Sequence, residues 1–155
     1  MPELSWQEHA LPLPDHNLAW YELGSGPTVI GLSGGPGDDH AYLRPVAEPL
    51  ASRFHWVLYD QRGTGRSVLK RLVEETLHPD RFVEDLEALR THLGEERVSL
   101  VGHSWGANLA LLYSAAYPDR VERAALVALG PLDAELAAVA AAVRDDGAEK
   151  VKGGK

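Results

Sequence analysis

Cysteine is absent from this chain of 155 residues. The absence excludes a disulfide framework, a thiol nucleophile and a cysteine-based metal site. It is compatible with a reducing compartment, and we expect a cytoplasmic location. The first seven residues show no basic segment followed by an apolar run, so no secretory signal is predicted. No apolar stretch approaches the length of a membrane span, and we expect no membrane insertion.

Positive charge is also scarce, with 15 Lys and Arg against 23 Asp and Glu and a formal net charge of −8. A nucleic-acid-binding surface needs clustered Lys and Arg, so the charge balance argues against a nucleic-acid partner. The seven histidines show no metal-ligand spacing. We therefore predict neither a metal nor a cofactor. The hydrophobic content of 45% and the chain length are typical of one globular domain.

Strand and helix patterns alternate along the chain. Residues 8–13 and 18–23 predict two strands, joined through the turn-forming residues 14–17 into an antiparallel hairpin. Buried strands are predicted at 28–32, 54–59, 98–101 and 121–129, and helices at 42–52, 79–93 and 107–117. Strands that alternate with helices become parallel through right-handed crossovers. The fold class is therefore α/β, with a mostly parallel sheet and an antiparallel N-terminal hairpin.

The composition changes near the end of the chain. Residues 1–132 are predicted to form the α/β core. Residues 133–155 begin with an Ala-rich stretch that favours a helix and end in a charged segment with little apolar content. We expect this second part to be a helix followed by a frayed tail.

The pentapeptide GHSWG at residues 102–106 lies between a predicted buried strand and a predicted buried helix. This is the context of a nucleophile elbow, in which a serine takes a strained backbone conformation to project its hydroxyl. The flanking glycines avoid side chains that would clash with the helix and the neighbouring strands. We predict Ser104 as the catalytic nucleophile. The alternative is a structural glycine-rich turn.

A serine that performs acyl transfer needs backbone donors for the oxyanion. Trp105 would supply one N–H group, at a helix N-terminus where the helix dipole favours negative charge. The second donor is expected from the loop after an earlier strand. The sequence SGGPG at residues 33–37 is such a loop, and we assign the donor to Gly35. The alternative is an ordinary Gly-Pro turn.

The loop DQRGTGRS at residues 60–67 also follows a predicted strand, at the sheet edge where ligands bind in open α/β folds. Asp60 or Arg62 could be catalytic, but we interpret the loop as an ion-paired and hydrogen-bonded wall of the site. His103 adjoins Ser104 in sequence, yet successive side chains of a strand point to opposite faces. We interpret His103 as a packing or hydrogen-bonding residue and keep His40 as a candidate base.

Three blocks, in this order, resemble the N-terminal half of the proline iminopeptidase family, the S33-type serine aminopeptidases of the α/β-hydrolase superfamily. Residues 34–37 are similar to the end of the family's His-Gly-Gly-Pro-Gly, and residues 60–67 to its Asp-Gln-Arg-Gly-x-Gly-Arg-Ser. GHSWGANLALLY resembles its GGSWGSTLALxY. The resemblance implies an α/β-hydrolase fold and an acyl-enzyme on Ser104, with Gly35 and Trp105 in the oxyanion hole. It also implies release of an N-terminal residue from small peptides.

The sequence departs from this family in several places. Ser33 stands where the family usually has His, and His103 where it often has Gly, as in related esterases. Family members have eight strands, a cap after strand six that binds the substrate amine, and a catalytic acid and His after strands seven and eight. Here about six strands are predicted and no His follows Ser104. Asp133 follows the sixth strand and is a candidate acid.

A serine hydroxyl needs an adjacent base to become a nucleophile, so the sequence predicts a truncated chain that is inactive alone. Three functions stay open. The first is an aminopeptidase acting on small peptides or amides, and the second is an esterase or other acyl hydrolase on the same scaffold. The third is a non-catalytic fragment that dimerises or binds a partner through an unpaired sheet edge.

Overall fold

A computed structural model describes residues 4–129 of the chain. The predicted boundary at residue 132, the predicted helix and tail at 133–155 and the candidate acid Asp133 lie outside the described residues. Within them, six strands form one sheet in the order β1-β2-β4-β3-β5-β6. The strands are β1 (Gln7–Pro12), β2 (Asn17–Leu23), β3 (Thr28–Leu32), β4 (His55–Tyr59), β5 (Val98–His103) and β6 (Val121–Val127).

The pairing of the strands confirms the predicted mixed sheet. β1 pairs antiparallel with β2, and β2 pairs antiparallel with β4. The pairs β3–β4, β3–β5 and β5–β6 are all parallel. The strand predicted at 121–129 ends two residues earlier than expected, because Ala128 leaves the extended region with a φ of 47°.

The helices follow the sequence pattern except in one segment. The α-helices are α1 (Arg44–Ala47), α2 (Pro79–His92) and α3 (Trp105–Ala116). The short helix predicted at 42–52 is present as helical turns over residues 41–50, but only α1 is α-helical, with a short 3-10 helix on either side of it. Pro49 helps to explain the change from α to 3-10 turns, because proline has no N–H to donate to the carbonyl four residues earlier. Further 3-10 helices occur at Glu74–Leu77 and Pro118–Arg120.

Apolar side chains cover both faces of the sheet. On one face, α2 and α3 bury Leu86, Leu89 and Leu109 completely against the strands. On the other face a smaller cluster includes Leu43, at the end of the first 3-10 helix, and Trp56 of β4. At roughly 1.5–3 kcal/mol for each large apolar side chain removed from water, these clusters supply the main stabilisation of the elements around the loops described below.

Strand β6 forms one edge of the sheet as described. It pairs with β5 on one side, and its six residues from Glu122 to Val127 are all exposed. Leu126 and Val127 are 41% and 51% exposed, so apolar surface faces solvent at this edge within residues 4–129. In this same part of the chain, none of the helices has the length and apolar character needed to cross a bilayer.

Candidate active site

Three loops meet where the parallel strands end. The register pairs Leu32 at the end of β3 with Gly102 near the end of β5, so the loop after β3 starts beside the elbow. The loop after β4 begins at Asp60, at the same edge of the sheet, because β4 is parallel to β3. This edge is where open α/β sheets bind their ligands.

Ser104 sits in a sharp turn between β5 and α3. Its φ of 55° and ψ of −119° fall outside the regions that residues with a side chain ordinarily occupy. A conformation of this kind costs of order 1–3 kcal/mol and persists only where the surroundings hold it. A hydrogen bond of 3.0 Å from its N–H to the carbonyl of Val127 helps to fix it. The geometry is that of a nucleophile elbow.

Two glycines make this turn sterically feasible. A Cβ on Gly106 would lie 1.9 Å from the carbonyl oxygen of Leu32. A Cβ on Gly102 would lie 2.3 Å from the carbonyl oxygen of Gly106. Both contacts are with backbone atoms that cannot move aside. The first turn of α3 can therefore pack directly on β3 and β5 only if these positions carry no side chain.

The glycine-rich loop after β3 lies against Ser104. A Cβ on Gly34 would be 3.2 Å from the Cβ of Ser104 and 3.1 Å from the hydroxyl of Tyr42. The N–H of Gly34 donates a 2.6 Å hydrogen bond to that hydroxyl. The N–H of Gly35, by contrast, has no hydrogen-bond partner among the described residues. Gly35 is exposed and has a φ of 114°, a conformation open to glycine.

Trp105 is the first residue of α3, where a helix leaves its backbone N–H groups without intrahelical partners. The carbonyl of Ser104 accepts the N–H groups of Ala107 and Asn108, which starts the helix. The Trp105 ring is buried and stacks edge-on against Phe82 at 5.4 Å. The backbone N–H of Trp105 and that of Gly35 thus belong to the two segments that enclose Ser104.

The loop after β4 joins the glycine-rich loop after β3 to the start of α3 through hydrogen bonds. Gln61 is buried, and its Nε2 donates to the carbonyl oxygen of Ser33 at 2.8 Å. Its Oε1 accepts the indole N–H of Trp105 at 2.9 Å. One side-chain amide therefore joins the start of the glycine-rich loop to the residue after Ser104.

Asp60 fixes the other end of the glycine-rich loop. Its Oδ1 accepts both the backbone N–H and the Nδ1–H of His40, at 3.0 and 2.7 Å. Its Oδ2 accepts the hydroxyl of Tyr21 and the N–H of Arg66. Burial opposes ionisation of Asp60, but these hydrogen bonds outweigh it and lower the pKa of the carboxyl below its ordinary value.

His40 is fully engaged in this network. Its Nδ1 bonds to Asp60, and its Nε2 lies 2.9 Å from Nη2 of Arg44. Since arginine can only donate, Nε2 accepts, and both ring nitrogens are occupied. The ring also stacks on Tyr21 at 3.5 Å. His40 therefore has no nitrogen free to take a proton from Ser104, and the structure does not favour it as the base.

Arg62 has a structural role. Its guanidinium makes a two-pronged contact with Asp85 of α2, at 2.8 and 2.7 Å, and Nη1 reaches Asp15 and the carbonyl of Thr76. Despite the burial that opposes it, this pairing raises the pKa of Arg62, so the side chain stays charged. The loop after β4 is thus a hydrogen-bonded and ion-paired wall, as the sequence predicted. A cavity of about 440 Å³ lies beside this ion-paired network and does not include Ser104.

His103 contacts Tyr42. Its Nδ1 lies 3.0 Å from the Tyr42 hydroxyl, and the two rings meet edge-on at 5.6 Å. Its predicted hydrogen-bonding role agrees with this contact. The hydroxyl of Ser104 has no hydrogen-bond partner among residues 4–129, so no histidine in this range is in place to activate it. The same residues contain no cluster of three or more His, Asp or Glu side chains suited to a metal ion.

Sequence reasoning placed Ser104 and Trp105 in one segment and Gly35 in another, and the structure brings the two segments together. It missed Tyr42, which fell inside a predicted helix with no motif around it. It also gave no individual role to Gln61. The DQRG motif is the signal that could have found Gln61, because a polar residue next to the end of a buried strand has to find buried partners.

Comparison with known proteins agrees with this architecture. The sequence pattern of the alpha/beta hydrolase fold family matches residues 27–147. The chain belongs to this family, whose serine enzymes carry the nucleophile elbow described above.

Several relatives are named as proline iminopeptidases. That of Xanthomonas citri is 38% identical over 120 residues, which covers 74% of this chain and 37% of the relative. That of Arabidopsis thaliana is 41% identical over 109 residues, covering 68% of this chain and 28% of the relative. A proline iminopeptidase-related protein of Thermus thermophilus has a similar structure, with a TM-score of 0.73 and 32% identity over 79% of this chain and 44% of that one. The chain thus spans less than half the length of these relatives.

Proposed function

We propose that this chain carries the nucleophile and the oxyanion hole of a serine hydrolase. Ser104 would attack the substrate carbonyl, and the N–H groups of Trp105 and Gly35 would stabilise the oxyanion. The observation that carries the proposal is the strained backbone of Ser104, with a φ of 55°, packed against Gly34 of the glycine-rich loop. Strain of this kind is retained at functional sites, since an ordinary turn has no need of it.

The free N–H of Gly35 supports its part in the oxyanion hole. Of the two neighbouring glycines, Gly34 already donates to Tyr42, whereas Gly35 has its donor available. A free backbone N–H close to a serine nucleophile can bind an oxyanion without any rearrangement. The N–H of Trp105 adds the partial positive charge of the α3 N-terminus.

We further propose that the substrate is a small peptide or amide from which an N-terminal residue such as proline is released through an acyl-enzyme on Ser104. The proline iminopeptidase names of the relatives support this choice. The base that takes the proton of Ser104 would come from outside residues 4–129, because no described histidine contacts the hydroxyl. The cytoplasmic location expected from the sequence stays a prediction.

An esterase or other acyl hydrolase is the second candidate, and one observation favours it. His103 replaces the glycine common in the peptidase family, and it contacts Tyr42 at the mouth of the elbow. A histidine before the serine is the pattern of related esterases, which favours an ester substrate.

The two candidates can be separated by one assay. The 155-residue chain is incubated with prolyl p-nitroanilide and with p-nitrophenyl acetate, in the presence of imidazole as an external base. The proposal expects release of p-nitroaniline that Ser104→Ala abolishes. Cleavage of the acetate alone, again dependent on Ser104, would favour the esterase. Hydrolysis at the same rate in the Ser104→Ala variant, above the rate with imidazole alone, would contradict both.

The exposed edge of β6 supports a further proposal, that the chain self-associates by pairing this strand with a second copy. Its backbone is unpaired on the side away from β5 among the described residues, and its side chains from Glu122 to Val127 are exposed. Such an edge is a template for pairing. Light scattering after size exclusion would show a concentration-dependent dimer. A strict monomer at high concentration would contradict this proposal.

A further inference from the structure

Tyr42 connects the glycine-rich loop to the strand that carries the elbow. Its hydroxyl accepts the N–H of Gly34 at 2.6 Å and lies 3.0 Å from Nδ1 of His103. Since the oxygen accepts from Gly34, its own proton is free to bond to an unprotonated Nδ1 of His103. A continuous line of hydrogen bonds therefore runs from the loop after β3, through Tyr42, to the residue before Ser104.

We propose that Tyr42 is a positioning residue for the oxyanion hole. Its hydroxyl fixes the Gly34 peptide so that the next N–H, that of Gly35, stays directed at the site beside Ser104. The proposal rests on the hydrolase function proposed above. Tyr42 would act through the loop and not on the substrate, and its effect should appear in the chemical step more than in substrate binding.

The loop has other anchors, but among the described residues none of them holds the N–H of Gly34. Ser33 Oγ donates to the carbonyl of Asp38, and the N–H of Asp38 donates to the carbonyl of Gly34. Gln61 holds Ser33 at the start and Asp60 holds His40 at the end. Between them, residues 35–39 are exposed and include two glycines with positive φ. Among the described residues, Tyr42 is the side chain that accepts the backbone N–H of Gly34, the residue before Gly35. Without it, the peptide that precedes the free donor of Gly35 would lose its side-chain anchor.

The surroundings of Tyr42 keep its hydroxyl protonated. Burial raises its pKa, the negative charge of Asp38 raises it further, and the hydrogen bond from Gly34 opposes them without reversing the shift. The hydroxyl is therefore neutral at physiological pH. It can accept from Gly34 and donate to His103 at the same time.

The test compares Tyr42→Phe with the unsubstituted chain. The matched control is Tyr117→Phe, because Tyr117 packs on Tyr113 and its hydroxyl has no hydrogen-bond partner among the described residues. Amide hydrogen exchange of Gly34 and Gly35 is followed by NMR. In Tyr42→Phe we expect Gly34 to exchange about ten-fold faster, the scale of one lost hydrogen bond, while the amides of β5 stay protected. Tyr117→Phe should leave Gly34 unchanged.

Hydrolysis of the substrate identified above supplies a second readout. In Tyr42→Phe we expect kcat to fall about ten-fold with KM unchanged, because oxyanion stabilisation acts on the transition state. Unchanged exchange of Gly34 would overturn the proposal, and so would faster exchange in an active chain whose kcat does not move. If no variant hydrolyses any substrate, the proposed function fails, and the exchange of Gly34 still decides whether Tyr42 holds the loop.

Discussion

The indole N–H of Trp105 donates to Oε1 of Gln61 at 2.9 Å, and the same amide group donates through Nε2 to the carbonyl of Ser33. These two contacts fix the orientation of the amide, because a flipped amide would set donor against donor and acceptor against acceptor. Gln61 is therefore the link between the elbow and the glycine-rich loop. The arrangement depends on an amide and not simply on a polar side chain of this length.

Replacing this amide by an apolar group of similar size should be costly. Gln61→Leu leaves the indole N–H and the Ser33 carbonyl buried without partners, at roughly 1–3 kcal/mol for each lost partner. We expect a reduction in the free energy of unfolding of about 2–4 kcal/mol in urea titration. Trp105→Phe, combined with Gln61→Leu, should cost less than the sum of the two single changes, because the unpaired indole is removed. Strict additivity would argue against a direct link.

The strained backbone of the elbow predicts a gain in stability when the serine is removed. Glycine adopts a φ of 55° without the clash that a Cβ creates, so Ser104→Gly should stabilise the chain by about 1 kcal/mol. Ser104→Ala keeps the Cβ and should leave stability nearly unchanged. Thermal unfolding of the three proteins checks this order. A Ser104→Gly variant less stable than Ser104→Ala would show that the turn is not strained.

The close packing of α3 on β3 predicts that Gly106 accepts no side chain. Gly106→Ala would place a Cβ 1.9 Å from the Leu32 carbonyl, and we expect a loss of several kcal/mol or an insoluble product. Gly94→Ala is the matched control. It also adds a Cβ, but with no atom within 4 Å, and its φ of 71° costs only about 1–2 kcal/mol. An equal loss of stability in Gly106→Ala and Gly94→Ala would contradict the close contact between Gly106 and the Leu32 carbonyl.

The network around Asp60 predicts a pH dependence. Because the pKa of Asp60 is lowered in the folded state, its ionised form contributes stability above its ordinary pKa of 3.8, and this contribution is lost as the pH falls below that value. Asp60→Asn should reduce stability at pH 7 and flatten the loss of stability below about pH 4. Urea titrations at several pH values measure both effects. If the free energy of unfolding of Asp60→Asn fell with pH as steeply as that of the unsubstituted chain, the role of Asp60 would be contradicted.

Much of the fold could be predicted because its signals are local. The run at 28–32 and the apolar face of Phe82, Leu86 and Leu89 mark β3 and α2 without reference to the rest of the chain. The GHSWG context likewise predicted the elbow. The segment at 42–52 was predicted as a short helix, and its division into 3-10 and α turns could not be predicted from the sequence.

The links between the loops could not be predicted in the same way. Tyr42 contacts Gly34 and His103 because the sheet places β3 and β5 side by side. No local sequence pattern predicts these two hydrogen bonds. The pairing of Asp60 with His40, across 20 residues, has the same origin. Sequence patterns predict elements and motifs, whereas the contacts between side chains of separate loops follow from the register of the sheet.

The central claim is that Ser104 is the nucleophile. The most direct measurement is the intact mass of the 155-residue chain, and of its Ser104→Ala variant, after exposure to a fluorophosphonate probe with imidazole as external base. We predict one adduct, mapped to Ser104 by peptide analysis, and none in the variant. An equal adduct in Ser104→Ala, or no adduct in a chain shown to be folded, would contradict the claim.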